Sequence, residues 1–389
     1  MIQSILDTDL YKFSTSYAYM KLYPEAEGTF SFTDRNKTVY DDEFIEALDM
    51  EIAKLCMLRL SDPEFEYAST AIPYIHLNYW EWLKQFHFEF DKINVSLDED
   101  RHLHIEVTDR MYKVTLYEVP ILAIVAELSN KKHINDFGKT IEKLDAKIAI
   151  ANEEGFKFSE FGTRRRYSST LQEHVIARLK EKCPGCVGTS NVYYAMKFNM
   201  KPIGTFPHEW VMFHAATGGY KKANYNMLEA WSDVYNGNLG TALIDTLTTE
   251  VFLRDFSLKH AKLFDGVRQD SGDEYKIGNM IIDAYKKRGI DPTTKSLIFS
   301  NALDFDKYRD INRYFSGRIR CSAGIGTNLT NDPAIENYKP ANIVMKLSKC
   351  RMTPREAWQD CIKLSDDLGK HMGPEREVEI AMHELGISN

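Results

Sequence analysis

Cysteine is scarce in this chain. The 389 residues hold six, at 56, 183, 186, 321, 350 and 361. That number in a chain of this length argues against a disulfide framework and for a reduced, cytoplasmic protein. Only CPGC (183–186) has metal-ligand spacing, and no second CxxC or HxxxH accompanies Cys183 and Cys186, so a turn is the better reading. Long apolar runs are missing too. VPILAIVAEL (119–128) is the longest; it is flanked by Glu118 and interrupted by Glu127, well short of the about 20 apolar residues of a membrane span. No signal peptide is expected, since Asp7 and Asp9 follow Met1 with no apolar run between. Positive charge is in deficit as well. The net charge of -8 disfavours a nucleic-acid partner. Internal repeats and low-complexity segments are absent.

What is present is a rhythm. Eight short apolar segments lie between 156 and 347, and most run into a polar or glycine-rich cluster. FKFSEF (156–161) runs into GTRRR, CVGT (186–189) into Ser190 and Asn191, and PIGTF (202–206) into Pro207, His208 and Glu209. TALID (241–245), GVRQD (266–270), SLIFS (296–300) and RIRCSAG (318–324) follow suit, and NIVMKL (342–347) completes the set. Helix-length amphipathic stretches fill most of the gaps. Strands alternating with helices, with chemistry at the strand C-termini, predict an irregular α/β barrel.

Residues 1–150 read differently. TFSFT (29–33), LHIEV (103–107) and MYKVTLY (111–117) alternate apolar and polar residues, as half-buried antiparallel strands do. Residues 42–60 and 75–86 have helical patterns, and 118–133 reads as a buried helix. The expected organisation is an α+β N-terminal domain over 1–150 and an α/β barrel-like domain over 151–347. A polar tail, 348–389, is expected to pack back on the first domain.

Four clusters carry candidate ligand residues. In FGTRRRYSS (161–169), arginines beside a helix start can bind an anion, or form a solvated basic turn. SAGIGTNLT (322–330) lets the backbone approach a phosphate at Gly324 and Gly326, with the Thr327 hydroxyl at hand. It is no dinucleotide fingerprint, because position 329 is Leu. In GVRQDSGD (266–273), Arg268 and Asp270 leave the same face of a strand end, as substrate ligands or as a structural ion pair. In SNALDFD (300–306), Asp304 is either a ligand or a helix N-cap. GTFPHEWVMFH (204–214) is not a zinc HExxH, since Met212 replaces the second His, but it sets His208 at the barrel rim.

Together with DTDLYK (7–12), GTSN (188–191) and LRDF (253–256), these motifs resemble the nicotinate phosphoribosyltransferase family in order and spacing, over almost the whole chain. The resemblance implies a barrel joined to an α+β domain, in a homodimer whose sites lie at the subunit interface. It implies that nicotinate and 5-phosphoribosyl 1-diphosphate (PRPP) give nicotinate mononucleotide and pyrophosphate, in NAD salvage. It also implies Mg²⁺, and ATP hydrolysis coupled through a phosphohistidine. Residue by residue, His208 matches the phosphorylated histidine and Thr205 a substrate-contacting threonine. Phe161 and Tyr11 match the aromatic pair around the pyridine ring, with Tyr11 expected from the partner subunit. Arg164, Arg166 and Arg268 match the basic lining, and Asp270 and Asp304 match ribose and metal-side positions. Gly324, Gly326 and Thr327 match the 5′-phosphate loop. Nicotinamide-using relatives resemble GTD where this chain has Ser190, so the neutral hydroxyl favours a carboxylate substrate. Quinolinate phosphoribosyltransferase needs more cations. A non-catalytic binding barrel would not need His208 or RQDSGD, and an aldolase-type barrel would rest on Lys346 alone.

Overall fold

The computed structural model describes residues 1–367 and 371–387. Two sheets organise them. The first is antiparallel and contains β1 (Glu27–Asp34), β2 (Ile93–Leu97) and β3 (Leu103–Arg110). The second is parallel: β4 (Phe158–Glu160), β5 (Cys186–Thr189), β6 (Thr241–Leu243), β7 (Gly266–Gln269), β8 (Ser296–Phe299) and β9 (Arg320–Ile325). Its order is β5-β4-β9-β8-β7-β6. The chain then returns to the antiparallel sheet with β10 (Ile343–Arg351) and β11 (Gln359–Asp360), giving the order β11-β10-β1-β3-β2. The expected α/β class with an antiparallel N-terminal part is the one observed.

Six of the eight apolar segments form the parallel sheet. PIGTF does not become a strand. It makes a single bridge, Thr189↔Pro202, on one side. On the other, Thr205 Oγ1 donates to the carbonyls of Thr241 (2.6 Å) and Leu239 (3.1 Å). The segment thus spans the gap between the edge strands β5 and β6. Pro202 and Pro207 lack the N–H groups a ladder requires, so a side chain takes over that role. NIVMKL is a strand, but it pairs antiparallel with β1, Phe30 opposite Leu347 and Thr33 opposite Val344. An apolar run of that length does not distinguish a parallel from an antiparallel neighbour. MYKVTLY is not a strand: Met111–Val114 is α-helical and Thr115–Tyr117 a 3₁₀ turn. Met111 and Val114, three apart, are both fully buried, and that spacing fits one helical face as well as it fits a strand's neighbourhood.

Polar caps start helices where strands end. Ser168 accepts from Leu171 N–H, Asn191 from Tyr194 N–H, Asp273 from Lys276 N–H and Asp304 from Lys307 N–H. Cys183–Cys186 is a turn closed by Cys186 N–H to the Cys183 carbonyl at 3.0 Å. After β11 the chain runs back over the parallel sheet, with Leu364 N–H on the Thr246 carbonyl and Asp366 accepting from Thr249 N–H. This return carries Lys363 to the strand ends. Helix Glu375–Leu385 then docks against the turn Tyr220–Lys222, where Tyr220 Oη donates to Glu377. Among the described residues, no helix is long and apolar enough to cross a membrane.

Candidate active site

The C-terminal ends of the parallel strands open on one cavity of 930 Å³. His208, the first residue of helix His208–Gly218, sits in its wall and is 5 % exposed. Its Nδ1 lies 2.9 Å from Thr246 Oγ1, and its Nε2 lies 3.1 Å from Asp270 Oδ2 and 3.0 Å from Lys363 Nζ. Lys363 also pairs with Asp245 at 3.7 Å. Burial, reinforced by Lys363 and only partly opposed by Asp245 and Asp270, pushes the imidazole down to about 4. The ring is therefore neutral, and one nitrogen carries a lone pair at neutral pH. Burial alone would raise Asp270, but the bond to His208 and the charges of Arg268 and Lys363 hold it well below the usual carboxylate range.

Asp245, Asp270 and His208 offer ligand atoms within 4.8 Å of one another. Asp245 Oδ1 is buried without a partner, as is Arg268 Nε. An orphaned carboxylate oxygen after β6 and an orphaned guanidinium N–H on the neighbouring β7 are what a site for a metal-bridged polyanion would leave open. Arg268, Arg165 and Lys346 all face the cavity. Lys346, half-buried there, is pushed down to about 8 by burial, with Glu118 opposing the shift. Arg165 is pushed down to about 10 by burial and by Arg164 and Arg35 beside it. Charges that repel one another in a cavity favour an anionic ligand.

Aromatic and glycine positions shape the other wall. Phe161 and Tyr11 line the same cavity, both from one chain. Leu10 N–H bonds to the Ser190 carbonyl at 2.7 Å and fixes the start of helix Leu10–Leu22 there, which sets Tyr11 at this wall. A Cβ on Gly324 would lie 2.4 Å from Phe161 Cδ2, and one on Gly326 would lie 2.8 Å from the Phe161 carbonyl oxygen. Both glycines are thus required by close approach. Thr327 follows at the cavity edge and opens the short helix Thr327–Thr330. Asp304 caps helix Phe305–Phe315 through Lys307 N–H and lines the cavity as well. Arg164 faces the cavity and lies 3.9 Å from Glu118.

Two expected site residues lie elsewhere. Arg166 is 0 % exposed and locked between Asp7 (2.8 Å) and Glu127 (2.7 Å), so it anchors the N-terminal segment to the barrel and has no free donor for a substrate. Thr205 spends its hydroxyl on the two carbonyls described above and does not line the cavity. Sequence reasoning missed Asp245, Thr246, Lys363 and Asp9. Asp245 had a signal, since it ends TALID as Asp270 ends GVRQD. Lys363 had none, because only the return of the tail brings it in. Ser190, read as leaving its spot neutral, donates its hydroxyl to Asp9 Oδ1 at 2.7 Å.

The fold and this cavity define an α/β enzyme that handles phosphorylated, anionic substrates at the ends of parallel strands. Residues 156–387 match the nicotinate phosphoribosyltransferase (NAPRTase) family, and residues 6–126 match that family's N-terminal domain. The chain is 42 % identical over 384 residues to the nicotinate phosphoribosyltransferase of Desulforapulum autotrophicum, covering 97 % of each. The crystal structure of nicotinate phosphoribosyltransferase from Porphyromonas gingivalis superposes with a TM-score of 0.98 at 44 % identity, covering 100 % of both chains. That from Vibrio cholerae gives 0.93 at 34 %, covering 100 % of this chain and 95 % of the other. The chain belongs to the nicotinate phosphoribosyltransferase family.

Proposed function

We propose that the protein joins nicotinate to PRPP, giving nicotinate mononucleotide and pyrophosphate, and couples this to ATP hydrolysis through a phosphoryl group on His208. The observation that carries the reading is the meeting of three elements in one cavity. These are the Phe161–Tyr11 pair, the cationic wall around Arg268, and a neutral His208 held between Thr246 and Asp270. Family membership supports the transfer reaction, and the tuned histidine supports the coupling.

In the transfer step the nicotinate ring nitrogen forms a bond to the anomeric carbon as the C–O bond to pyrophosphate breaks. The carbon becomes oxocarbenium-like, so no protein nucleophile attacks it. Positioning and neutralisation of the leaving pyrophosphate carry the rate. Phe161 and Tyr11 hold the ring in line; Arg268, Arg164 and Lys346 face the anions; Gly324, Gly326 and Thr327 take the 5′-phosphate. Asp304 and Asp270 suit the ribose hydroxyls. Mg²⁺ fits beside Asp245 and Asp270, where it would neutralise diphosphate charge.

In the coupling step a ring nitrogen attacks the γ-phosphorus of ATP, ADP leaves, and water later takes the phosphoryl group. In the resting site Nε2–H is donated to Asp270; attack uses the other tautomer, in which Nδ1–H is donated to Thr246 and the Nε2 lone pair accepts from Lys363. An arriving phosphate draws Lys363 to its own oxygens and frees that lone pair. The Lys12 salt bridges to Glu118 and Glu209, both 2.5 Å, fix the helix that carries His208. Six free cysteines fit a reducing cytoplasm, and the nucleotide product would serve NAD salvage. A homodimer with its sites at the subunit interface is part of the proposal on the family resemblance.

Two substitutions test the ring site. Gly324→Ala should push the Phe161 ring aside and raise KM for nicotinate about threefold to tenfold, the worth of an aromatic contact. An unchanged KM would place the ring elsewhere. Ser190→Asp adds a carboxylate beside the one on Asp9. Two like charges about 4 Å apart repel by roughly 4 kcal/mol at an effective dielectric near 20. After solvent relaxation, nicotinate kcat/KM should still drop at least about tenfold, with a much smaller change for nicotinamide. The ratio of the two efficiencies is decisive, since a folding defect lowers both. A ratio that does not move toward nicotinamide would shift the choice to the arginines around Arg268.

A further inference from the structure

Ser190 does not act alone. Its hydroxyl donates to Asp9 Oδ1 at 2.7 Å, and both residues face the cavity while 3–4 % exposed. A serine hydroxyl has one proton. While Asp9 is ionised, that proton is committed to it. Ser190 then offers the cavity only lone pairs, which suit an amide N–H and oppose a carboxylate. Thr163 lies on the other side. Its Oγ1 already accepts from Gln172 Nε2 (3.0 Å) and Asn191 Nδ2 (3.2 Å), so its own proton also points to an acceptor, and Asp9 is bonded to it. An ionised Asp9 is thus surrounded by two hydroxyl donors, and the cavity in front of it receives negative charge and no donor.

We propose that Asp9 is a positioning residue for the substrate carboxylate and acts through Ser190. Nicotinate binds to the form in which Asp9 carries a proton. The protonated carboxyl donates to Ser190 Oγ, and the Ser190 hydroxyl turns to donate to the nicotinate carboxylate. The proton comes from solvent, one per nicotinate bound, and no covalent bond changes. The inference rests on the substrate reading above.

The surroundings favour that protonation. Asp9 is wholly enclosed, and burial raises it above the usual carboxylate range, with the Glu118 charge adding to the rise. The hydroxyls of Ser190 and Thr163 and the charge of Arg164 oppose it. Glu160, on β4, also faces Asp9, and burial pushes its carboxyl up to about 7. Tyr11, two residues along, faces the same group, and burial keeps its hydroxyl protonated. A second carboxylate arriving at Ser190 adds a further upward push. The sign follows from linkage. A group protonated in the complex and ionised in the free enzyme makes binding weaken as pH rises, by up to tenfold per unit.

The test is the pH dependence of nicotinate binding between about pH 6 and about pH 9, by KM and by calorimetry with inorganic diphosphate present. Calorimetry in two buffers of different ionisation heat counts the protons taken up. The native enzyme should take up close to one proton per nicotinate in the upper part of the range, with KM rising up to about tenfold per unit. Nicotinamide should show neither effect. In Asp9→Asn, whose amide donates to Ser190 at every pH, uptake should vanish and the KM profile flatten. Lys346 also titrates near the cavity, so Lys346→Met is the control and should retain the uptake. Nicotinate binding without uptake in the native enzyme overturns the relay alone. So does uptake that persists in Asp9→Asn, or that is lost in Lys346→Met. Absence of nicotinate binding at every pH overturns the substrate reading and the relay with it.

Discussion

Replacing His208 with alanine should abolish PRPP-dependent ATP hydrolysis and leave only slow, ATP-independent product formation. No other described side chain offers a neutral ring nitrogen to this cavity, and none is held as His208 is, between Thr246, Asp270 and Lys363. Loss of the attacking atom removes the coupling path entirely, so the expected effect on ATP turnover is complete, not graded. The same environment predicts a pH profile. An ordinary imidazole would protonate and lose its nucleophile below about 6.5. With the ring pushed down to about 4, coupling in the native enzyme should persist as pH falls past that value. A His208→Ala enzyme that still hydrolyses ATP in step with product would remove His208 from the phosphoryl path.

The second large effect is on stability. Arg166 pairs with Asp7 and Glu127 and also bonds to Gln172 and the Met1 carbonyl, all out of solvent. Arg166→Met would leave two buried carboxylates without their counter-ion, which costs about 3–5 kcal/mol. The denaturation midpoint in urea should fall accordingly. Adding Asp7→Asn and Glu127→Gln removes the stranded charges and should recover part of that loss. A variant with an unchanged midpoint but weaker PRPP binding would return Arg166 to the substrate wall.

The residues that chemistry demands at strand ends were readable from the sequence because each sits in a local pattern. RQD after a short apolar run and AGIG before a helix each mark a strand-to-helix turn, a histidine after TFP marks a helix start, and the cavity gathers Arg268, Asp270, Gly324, Gly326 and His208. What local pattern does not encode is which partner a side chain meets. Arg164, Arg165 and Arg166 are adjacent and chemically alike. The 3₁₀ turn Thr163–Arg165 sends two toward the cavity and the third into a buried ion-pair network. Thr205 has the residue type of a ligand, but the missing strand at PIGTF claims its hydroxyl. Lys363 and Asp9 reach the site through contacts spanning 155 and 181 residues. Such pairings are set by tertiary packing, and no periodicity in the chain announces them.

The central claim is nicotinate-specific phosphoribosyl transfer coupled to ATP. Product formation from PRPP, with nicotinate or nicotinamide and each with and without ATP, tests it most directly. The account predicts nicotinate mononucleotide and pyrophosphate from nicotinate, faster and further with ATP, with ADP and phosphate released alongside, and little product from nicotinamide. Preferential turnover of nicotinamide, or nicotinate turnover indifferent to ATP with no ATP consumed, would contradict it.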